Sequence, residues 1–182
     1  LPVLSTTDAS SVTSTTASTG GNITSDGGAT VTARGVCWST SPNPTTANSK
    51  TTNGSGTGSF TSAITGLSPG TAYYIKAYAT NSVGTAYGNE ITITTPASIP
   101  VIATTSITSV TSTTLTGGGN IISDGGANVT SRGVCWSTTP NPTTANSRTT
   151  DGNGTGSFTS TITGLSPGTT YYIRAYAINS VG

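Results

Sequence analysis

The chain has 182 residues with a net charge of +1, and only 6% of its residues are charged. In an ordinary soluble protein roughly a quarter of the residues are charged, whereas here Thr, Ser, Gly and Asn take the place of charged residues. The chain has no basic stripe that would hold a phosphate backbone and no run of about 18 apolar residues, so neither nucleic-acid binding nor direct membrane insertion is expected.

Short strands separated by turn residues are predicted along the first half of the chain, because Gly and Pro recur every few residues and Thr, Ser and Val favour extended backbone. The segment 51–58 is a Gly-rich loop or a weak edge strand. Seven short strands in fewer than 100 residues predict an all-β sandwich of two sheets. The six stronger strands are predicted at 2–6, 16–23, 31–39, 59–67, 72–81 and 87–95.

The strand at 72–81 shows the clearest alternation of apolar and polar residues. Lys76 marks one face as solvated, which places Tyr73, Ile75, Ala77 and Ala79 on the core face. The rest of the core is predicted to contain Ile23, Val36, Trp38, Phe60, Ile64, Leu67 and Ile91.

The second half of the chain repeats the first, with residue n matching residue n+98. Aligning 1–84 with 99–182 gives 64 identities in 84 positions. Two domains are therefore predicted, at 1–98 and 99–182, joined by the short Pro-flanked segment 96–100, which should be semi-rigid. Because two such similar copies perform the same task, a spacer, an avid binder or a fibre is favoured over an enzyme.

The second repeat ends at Gly182, the counterpart of Gly84, so the counterpart of 85–98 is missing from it. We therefore expect the second sandwich to lack its C-terminal strand. Two explanations remain open. The segment belongs to a longer repeat array, or a neighbouring subunit donates the missing strand.

The segment Leu-Ser-Pro-Gly-Thr-Ala-Tyr at 67–73, followed by Ala77, Ala79, Asn81 and Gly84, resembles the corner motif of fibronectin type III domains. The same pattern recurs from Leu165 to Gly182. This resemblance implies tandem immunoglobulin-like sandwiches in which Tyr73 and Tyr171 are structural tyrosine corners, with each hydroxyl bonded to nearby backbone.

The tryptophan of the repeat departs from that family, whose tryptophan is usually on the second strand. Trp38 lies instead in the third predicted strand, within the run Arg-Gly-Val-Cys-Trp-Ser-Thr. This run is similar to divergent repeats in secreted multidomain proteins of Bacteroidetes-type bacteria.

No chemistry of a catalytic, cofactor or metal site is predicted. The chain has no histidine, and its five acidic residues are scattered, with Asp26 and its counterpart Asp124 in turns. Cys37 and Cys135 are equivalent, so no disulfide forms within a repeat. Each is either a shielded strand residue or a thiol that reacts between molecules.

Four tyrosines are the candidate contacts for a partner or a glycan, because they are predicted on the solvated strand face. They either pack across strands within their own sheet or present their rings to a ligand. These residues are Tyr74, Tyr78, Tyr172 and Tyr176.

We therefore expect an extracellular or cell-surface structural and adhesive protein without enzymatic activity, forming a stalk or filament with copies of itself or with neighbouring repeats. The alternative is a spacer or weak carbohydrate-binding module of a secreted carbohydrate-active enzyme.

Overall fold

The first unit contains eight strands arranged as two sheets. The computed structural model describes residues 1–182. One sheet has the order β1-β2-β5, and the other has the order β4-β3-β6 with both β7 and β8 paired to the far edge of β6. The strands are β1 Val3–Ser10, β2 Thr16–Ser25, β3 Ala33–Ser39, β4 Ser49–Lys50, β5 Gly58–Thr65, β6 Ala72–Asn81, β7 Gly84–Tyr87 and β8 Ile91–Thr94.

The second unit repeats this plan with six strands. Its sheets have the orders β9-β10-β13 and β12-β11-β14, so β14 pairs with β11 on one edge only. The strands are β9 Val101–Thr104, β10 Leu115–Ser123, β11 Ser131–Ser137, β12 Ser147–Arg148, β13 Gly156–Ile162 and β14 Tyr172–Ile178. No element is a helix with the length and hydropathy that a membrane crossing needs.

The boundary between the units lies at Pro96 and Ala97, two residues before the predicted one. The hydrogen bonds on either side explain this position. The Pro96 carbonyl accepts from the Gly70 amide in the first unit, whereas the Ser98 amide donates to Gly125 and the Ser98 carbonyl accepts from Asn179 in the second.

The core of the first unit lies between its two sheets, as the alternation predicts. Tyr73, Ile75, Ala77 and Ala79 are buried, which confirms the core face of β6. Ile23, Val36, Phe60, Ile64 and Leu67 are also buried, while Trp38 and Ile91 are partly buried against this cluster.

Glycine allows the sheets to approach closely at one point in each unit. A Cβ atom at Gly21 would lie 2.7 Å from the Cβ of Ala77, and one at Gly119 would lie 2.7 Å from the Cβ of Ala175. Any side chain at these β-strand positions would force the facing sheet away.

The last strand of the first unit is interrupted by a β-bulge, where the sequence predicts one strand from 87 to 95. Tyr87 pairs with Tyr78 and Ile91 pairs with Ile75. Three residues, Gly88 to Glu90, therefore face two on β6. A bulge of this kind breaks the ladder locally and redirects the extra residue.

The first strand differs most between the two units. β1 runs for 8 residues, to Ser10, whereas its counterpart β9 runs for 4, to Thr104. The sequence predicts a strand that ends near Thr6, so β1 is longer than expected. Beyond Thr105 the second unit retains one bridge, between Thr108 and Thr116.

Candidate functional site

Two of the four candidate tyrosines are covered, which corrects their predicted exposure. Tyr78 is 3% exposed and Tyr176 is 8% exposed. The Tyr78 hydroxyl donates to the Thr51 carbonyl at 2.7 Å, and the Tyr176 hydroxyl donates to the Thr149 carbonyl at 2.6 Å. Each ring packs beside a glycine of the neighbouring strand, since a Cβ at Gly35 would lie 2.9 Å from the Tyr78 ring. These two residues adopt the cross-strand packing alternative.

The other two tyrosines keep part of their rings in solvent. Tyr74 is half-buried between Ser39 of β3 and Thr92 of β8. Its counterpart Tyr172 pairs with Ser137 of β11 on one side only and is 42% exposed. The difference follows from the strand that flanks β6 and has no counterpart beside β14.

The two cysteines are buried on the sheet face opposite the core. Burial raises the pKa of the Cys37 thiol to about 11, and it raises the pKa of Cys135 as well. Each thiol donates to a backbone carbonyl of the neighbouring strand, that of Lys76 or Arg174. Because the thiolate is the reactive form, this environment matches the shielded alternative for both residues.

In the first unit, β7 and the bulge between β7 and β8 form hydrogen bonds with the loop at 41–48. The Tyr87 hydroxyl accepts from the Thr46 amide at 3.1 Å, and the Glu90 carboxylate accepts from the Asn43 amide at 2.5 Å. The Asn43 side chain accepts in turn from Lys76 of β6. The loop at 139–146 has the same sequence except at its first residue, and residues 97–182 contain no counterpart of Tyr87 or Glu90.

The bulge also joins the two sheets of the first unit through Thr6. The Thr6 amide donates to the Asn89 side-chain oxygen at 3.0 Å, and the Thr6 hydroxyl donates to the Asn89 carbonyl at 2.5 Å. The same hydroxyl accepts from the Ala77 amide, which the bulge leaves without a ladder partner. Thr6 is 7% exposed as a result.

The end of the last strand secures the tyrosine corner. The Thr95 hydroxyl donates to the Ser68 carbonyl at 2.6 Å and accepts from the Thr71 amide at 2.9 Å. The Tyr73 hydroxyl accepts from the Ser68 amide at 2.9 Å. The equivalent bond from Ser166 to Tyr171 is 3.2 Å long. These bonds confirm the tyrosine corner that the resemblance implies in both units.

The same position in the second unit is an open apolar groove. We call it the unit-2 groove, and it encloses about 440 Å³ beside the edge of β14 that faces away from β11. In the first unit, the strand β8 lies along this edge and packs Ile91 and Ile93 against the core. The groove is lined by the apolar residues Ile107, Val110, Leu115, Leu165, Tyr171 and Ile173.

The acidic residues are dispersed in the structure. No group of three or more His, Cys, Asp or Glu side chains lies close enough to hold a metal ion. Asp26 and Asp124 each accept a bond from a glycine amide two residues later, in the predicted turns. Asp151 accepts from the Thr149 hydroxyl. The Asp26 and Asp124 carboxylates therefore stabilise turns.

The chain resembles known proteins in its fold and not in its sequence. No family model and no curated protein matches the chain, whereas 178 solved chains match it in structure. One is described as the crystal structure of chicken CNTN1 FN1-FN3 domains. It is 16% identical with a TM-score of 0.55, and the match covers 98% of this chain and 61% of that chain. The fold of this chain is therefore a tandem of fibronectin type III-like β-sandwiches.

Proposed function

We propose that this chain is an extracellular structural and adhesive repeat protein, and that it builds a surface stalk or filament. In this proposal a neighbouring subunit supplies the strand that fills the unit-2 groove. One observation carries the proposal: the chain is built from two nearly identical β-sandwich units in tandem. The fold agrees with it, since fibronectin type III-like sandwiches are common in structural and adhesive extracellular proteins and are typically not catalytic.

The physical driving force for strand binding is available at this site. Apart from the Ala175 amide, which donates to the Thr104 hydroxyl, the backbone amides and carbonyls at the free edge of β14 have no strand partner. Such groups pair readily with an added strand. The groove also exposes apolar side chains, with Val110 69% exposed while its counterpart Val12 packs against the core. Each isoleucine buried in the groove would contribute on the order of 1 kcal/mol.

Exchange of strands between copies of residues 1–182 alone would not satisfy every groove. Each copy has two grooves but a single segment of the type that forms β7 and β8. A copy that donated this segment would open its own first unit. The donor strand in our proposal therefore belongs to a neighbouring subunit and lies outside that subunit's residues 1–182.

Mass spectrometry and negative-stain microscopy of the native material test this proposal together. We expect continuous fibres that dissociate in strong denaturant. The covalent chains released from them should each contain only a few repeats. A covalent chain of many 98-residue periods, each with its own last strand, would contradict donation by a neighbouring subunit.

The partial exposure of Tyr172 favours a second candidate function, a spacer or weak carbohydrate-binding module in a secreted carbohydrate-active enzyme. An exposed aromatic ring on a strand can stack on a sugar. A glycan panel tests this with Tyr172→Ala and Tyr74→Ala chains, with Tyr78→Phe as a control for a covered ring. Unchanged glycan binding in the two alanine variants would exclude these rings as the contact.

A further inference from the structure

The loops of the second unit form a polar depression of about 580 Å³, which shares no lining residue with the unit-2 groove. We call it the loop depression. The turn between β10 and β11 contributes Asp124, Asn128 and Thr130 to its lining, and the Gly-rich loop after β12 contributes Asn153 and Thr155. All of these residues lie between β10 and β13 in the chain.

Backbone hydrogen bonds hold the two segments of the loop depression together. The Gly154 amide donates to the Val129 carbonyl at 3.0 Å. The Arg132 guanidinium donates to the Gly154 carbonyl at 3.3 Å and to the Thr155 carbonyl at 2.9 Å. Gly154 itself has a φ of 76°, a conformation that favours glycine. The shape of the depression is therefore set before any ligand binds, which lowers the cost of binding.

Polar side chains around the loop depression are available to a ligand. One carboxylate oxygen of Asp124 accepts from the Gly126 amide at 2.8 Å, and its other oxygen remains for a further donor. Asn128 and Asn153 are exposed, so their side-chain amides can act on a ligand as both donors and acceptors. The depression therefore combines donors and acceptors on a fixed backbone.

The two units share this loop arrangement but differ at the residues that line it. The Arg34 guanidinium bonds to the first Gly-rich loop in the same way. Although 64 of the 84 aligned positions are identical, Thr30 and Ser55 of the first unit correspond to Asn128 and Asn153. Each difference replaces a hydroxyl by a larger, planar amide. The second unit therefore presents a hydrogen-bonding surface that the first unit does not.

The chemistry of the lining favours a neutral sugar as the ligand. Amide and carboxylate groups can bond to the adjacent hydroxyls of a sugar ring, which both donate and accept. Calcium takes about six to eight oxygen ligands, several of them carboxylates, whereas the lining contains one carboxylate, that of Asp124. The same charge disfavours an anion. The apolar side chain in the lining is Val129, which is 4% exposed, so an apolar ligand would find little surface.

We propose that the loop depression is a binding site for one sugar residue of a neutral glycan. Asn128 and Asn153 bond to adjacent hydroxyls of the sugar, and the free oxygen of Asp124 accepts from another. This inference rests on the carbohydrate-binding candidate above, and it assigns the sugar to the loops of the second unit and not to the ring of Tyr172.

NMR titration of the intact 182-residue chain tests the inference, with glucose, galactose, mannose and N-acetylglucosamine as probes. We expect at least one of these sugars to shift the amide signals of Gly154 and Thr155. Asn128→Thr combined with Asn153→Ser should weaken this binding at least about tenfold, because two side chains lose their bonds to the sugar. The fold should be retained, since the first unit carries the introduced residues at these positions.

The equivalent aspartates provide a matched pair of variants. Asp124→Asn keeps an oxygen for the Gly126 amide but removes the carboxylate, so it should weaken sugar binding roughly fivefold. Asp26→Asn, at the same position of the first unit, should leave the affinity unchanged.

The first unit also allows the reverse experiment. Thr30→Asn combined with Ser55→Asn should give it a sugar site, seen as new shifts at Gly56, because Asp26 already matches Asp124.

The site of contact and the class of ligand are decided by the same titrations. Loss of binding in Tyr172→Ala, with unchanged binding in Asn128→Thr/Asn153→Ser, would overturn the inference and leave the carbohydrate-binding candidate standing. Shifts at Gly154 with calcium chloride and none with sugar would overturn it in favour of a cation site. Absence of any shift with every probe would contradict both the inference and that candidate.

Discussion

The hydroxyl of Thr95 lies 2.6 Å from the carbonyl oxygen of Ser68, and this hydrogen bond connects the end of the first sandwich to its tyrosine corner. Thr95 is 1% exposed, and its hydroxyl also accepts from the Thr71 amide. The last strand thus supplies more than apolar surface. It completes a polar network that the second unit, within residues 97–182, does not contain.

Removal of this hydroxyl should destabilise the first unit. Thr95→Val keeps the shape but leaves the Thr71 amide and the Ser68 carbonyl without this partner, at a cost of about 1–3 kcal/mol. Urea denaturation followed by tryptophan fluorescence measures the loss. Thr94→Val, on the exposed face of β8, is the control and should change the stability by less than about 0.5 kcal/mol. Equal effects of the two substitutions would contradict the role of Thr95.

The tyrosine corners should differ in strength between the units. Tyr73 is buried and Tyr171 is half-buried, and the bond to the corner is shorter in the first unit. We expect Tyr73→Phe to cost about 1 kcal/mol and Tyr171→Phe less than that. Denaturation of the two variants side by side checks the order, and a larger loss for Tyr171→Phe would reverse it.

The buried thiol of Cys37 should make stability depend on pH in the alkaline range. Its pKa is raised by burial to about 11 in the folded state, so the folded protein holds this proton more tightly than the unfolded chain does. The resulting stabilisation is complete below the unfolded pKa and is lost as pH rises from about 9 towards about 11. It amounts to on the order of 2 kcal/mol.

Comparison with Cys37→Ala isolates this contribution from the titration of Tyr and Lys. The difference in unfolding free energy between the parent and the variant should shrink as pH rises from 8 to about 11. A difference that stays constant over this range would show that burial does not raise the pKa of Cys37. Reaction with a thiol reagent at pH 8 should be slow for both cysteines until denaturant is added.

The equivalent residues Arg34 and Arg132 should each hold the Gly-rich loop of their repeat in place. The Arg34 guanidinium donates to the carbonyls of Asn53, Gly56 and Thr57 and lies 5.3 Å from the centre of the Phe60 ring. Arg34→Lys loses the planar fork and should cost about 1–2 kcal/mol. Lys50→Arg is the control, because the second repeat carries Arg148 there. Faster hydrogen exchange at 52–58 in Arg34→Lys alone would support this role.

The sequence predicts those parts of the fold that depend on local pattern. Alternation in β6, with Lys76 on one face, identifies Ile75 and Ala77 as core, because successive side chains of a strand point to opposite faces. The resemblance at 67–73 similarly identifies the hydroxyl of Tyr73 as a corner contact. Both features involve residues that are close in the chain.

The parts that the sequence does not predict depend on contacts between distant residues. Tyr78 is on the predicted outer face, but its burial arises because Thr51 and Gly35 come alongside it. The bond between Thr6 and Asn89 joins residues 83 positions apart.

The central claim is that the edge of β14 is a binding site for a strand like the one at 85–95. Hydrogen exchange of β14 tests it most directly, in the chain alone and in a chain extended after Gly182 by a second copy of 85–96. We predict that exchange at Tyr172–Ile178 slows to the rate of the matching part of β6 in the extended chain. Unchanged exchange in β14 would contradict the claim.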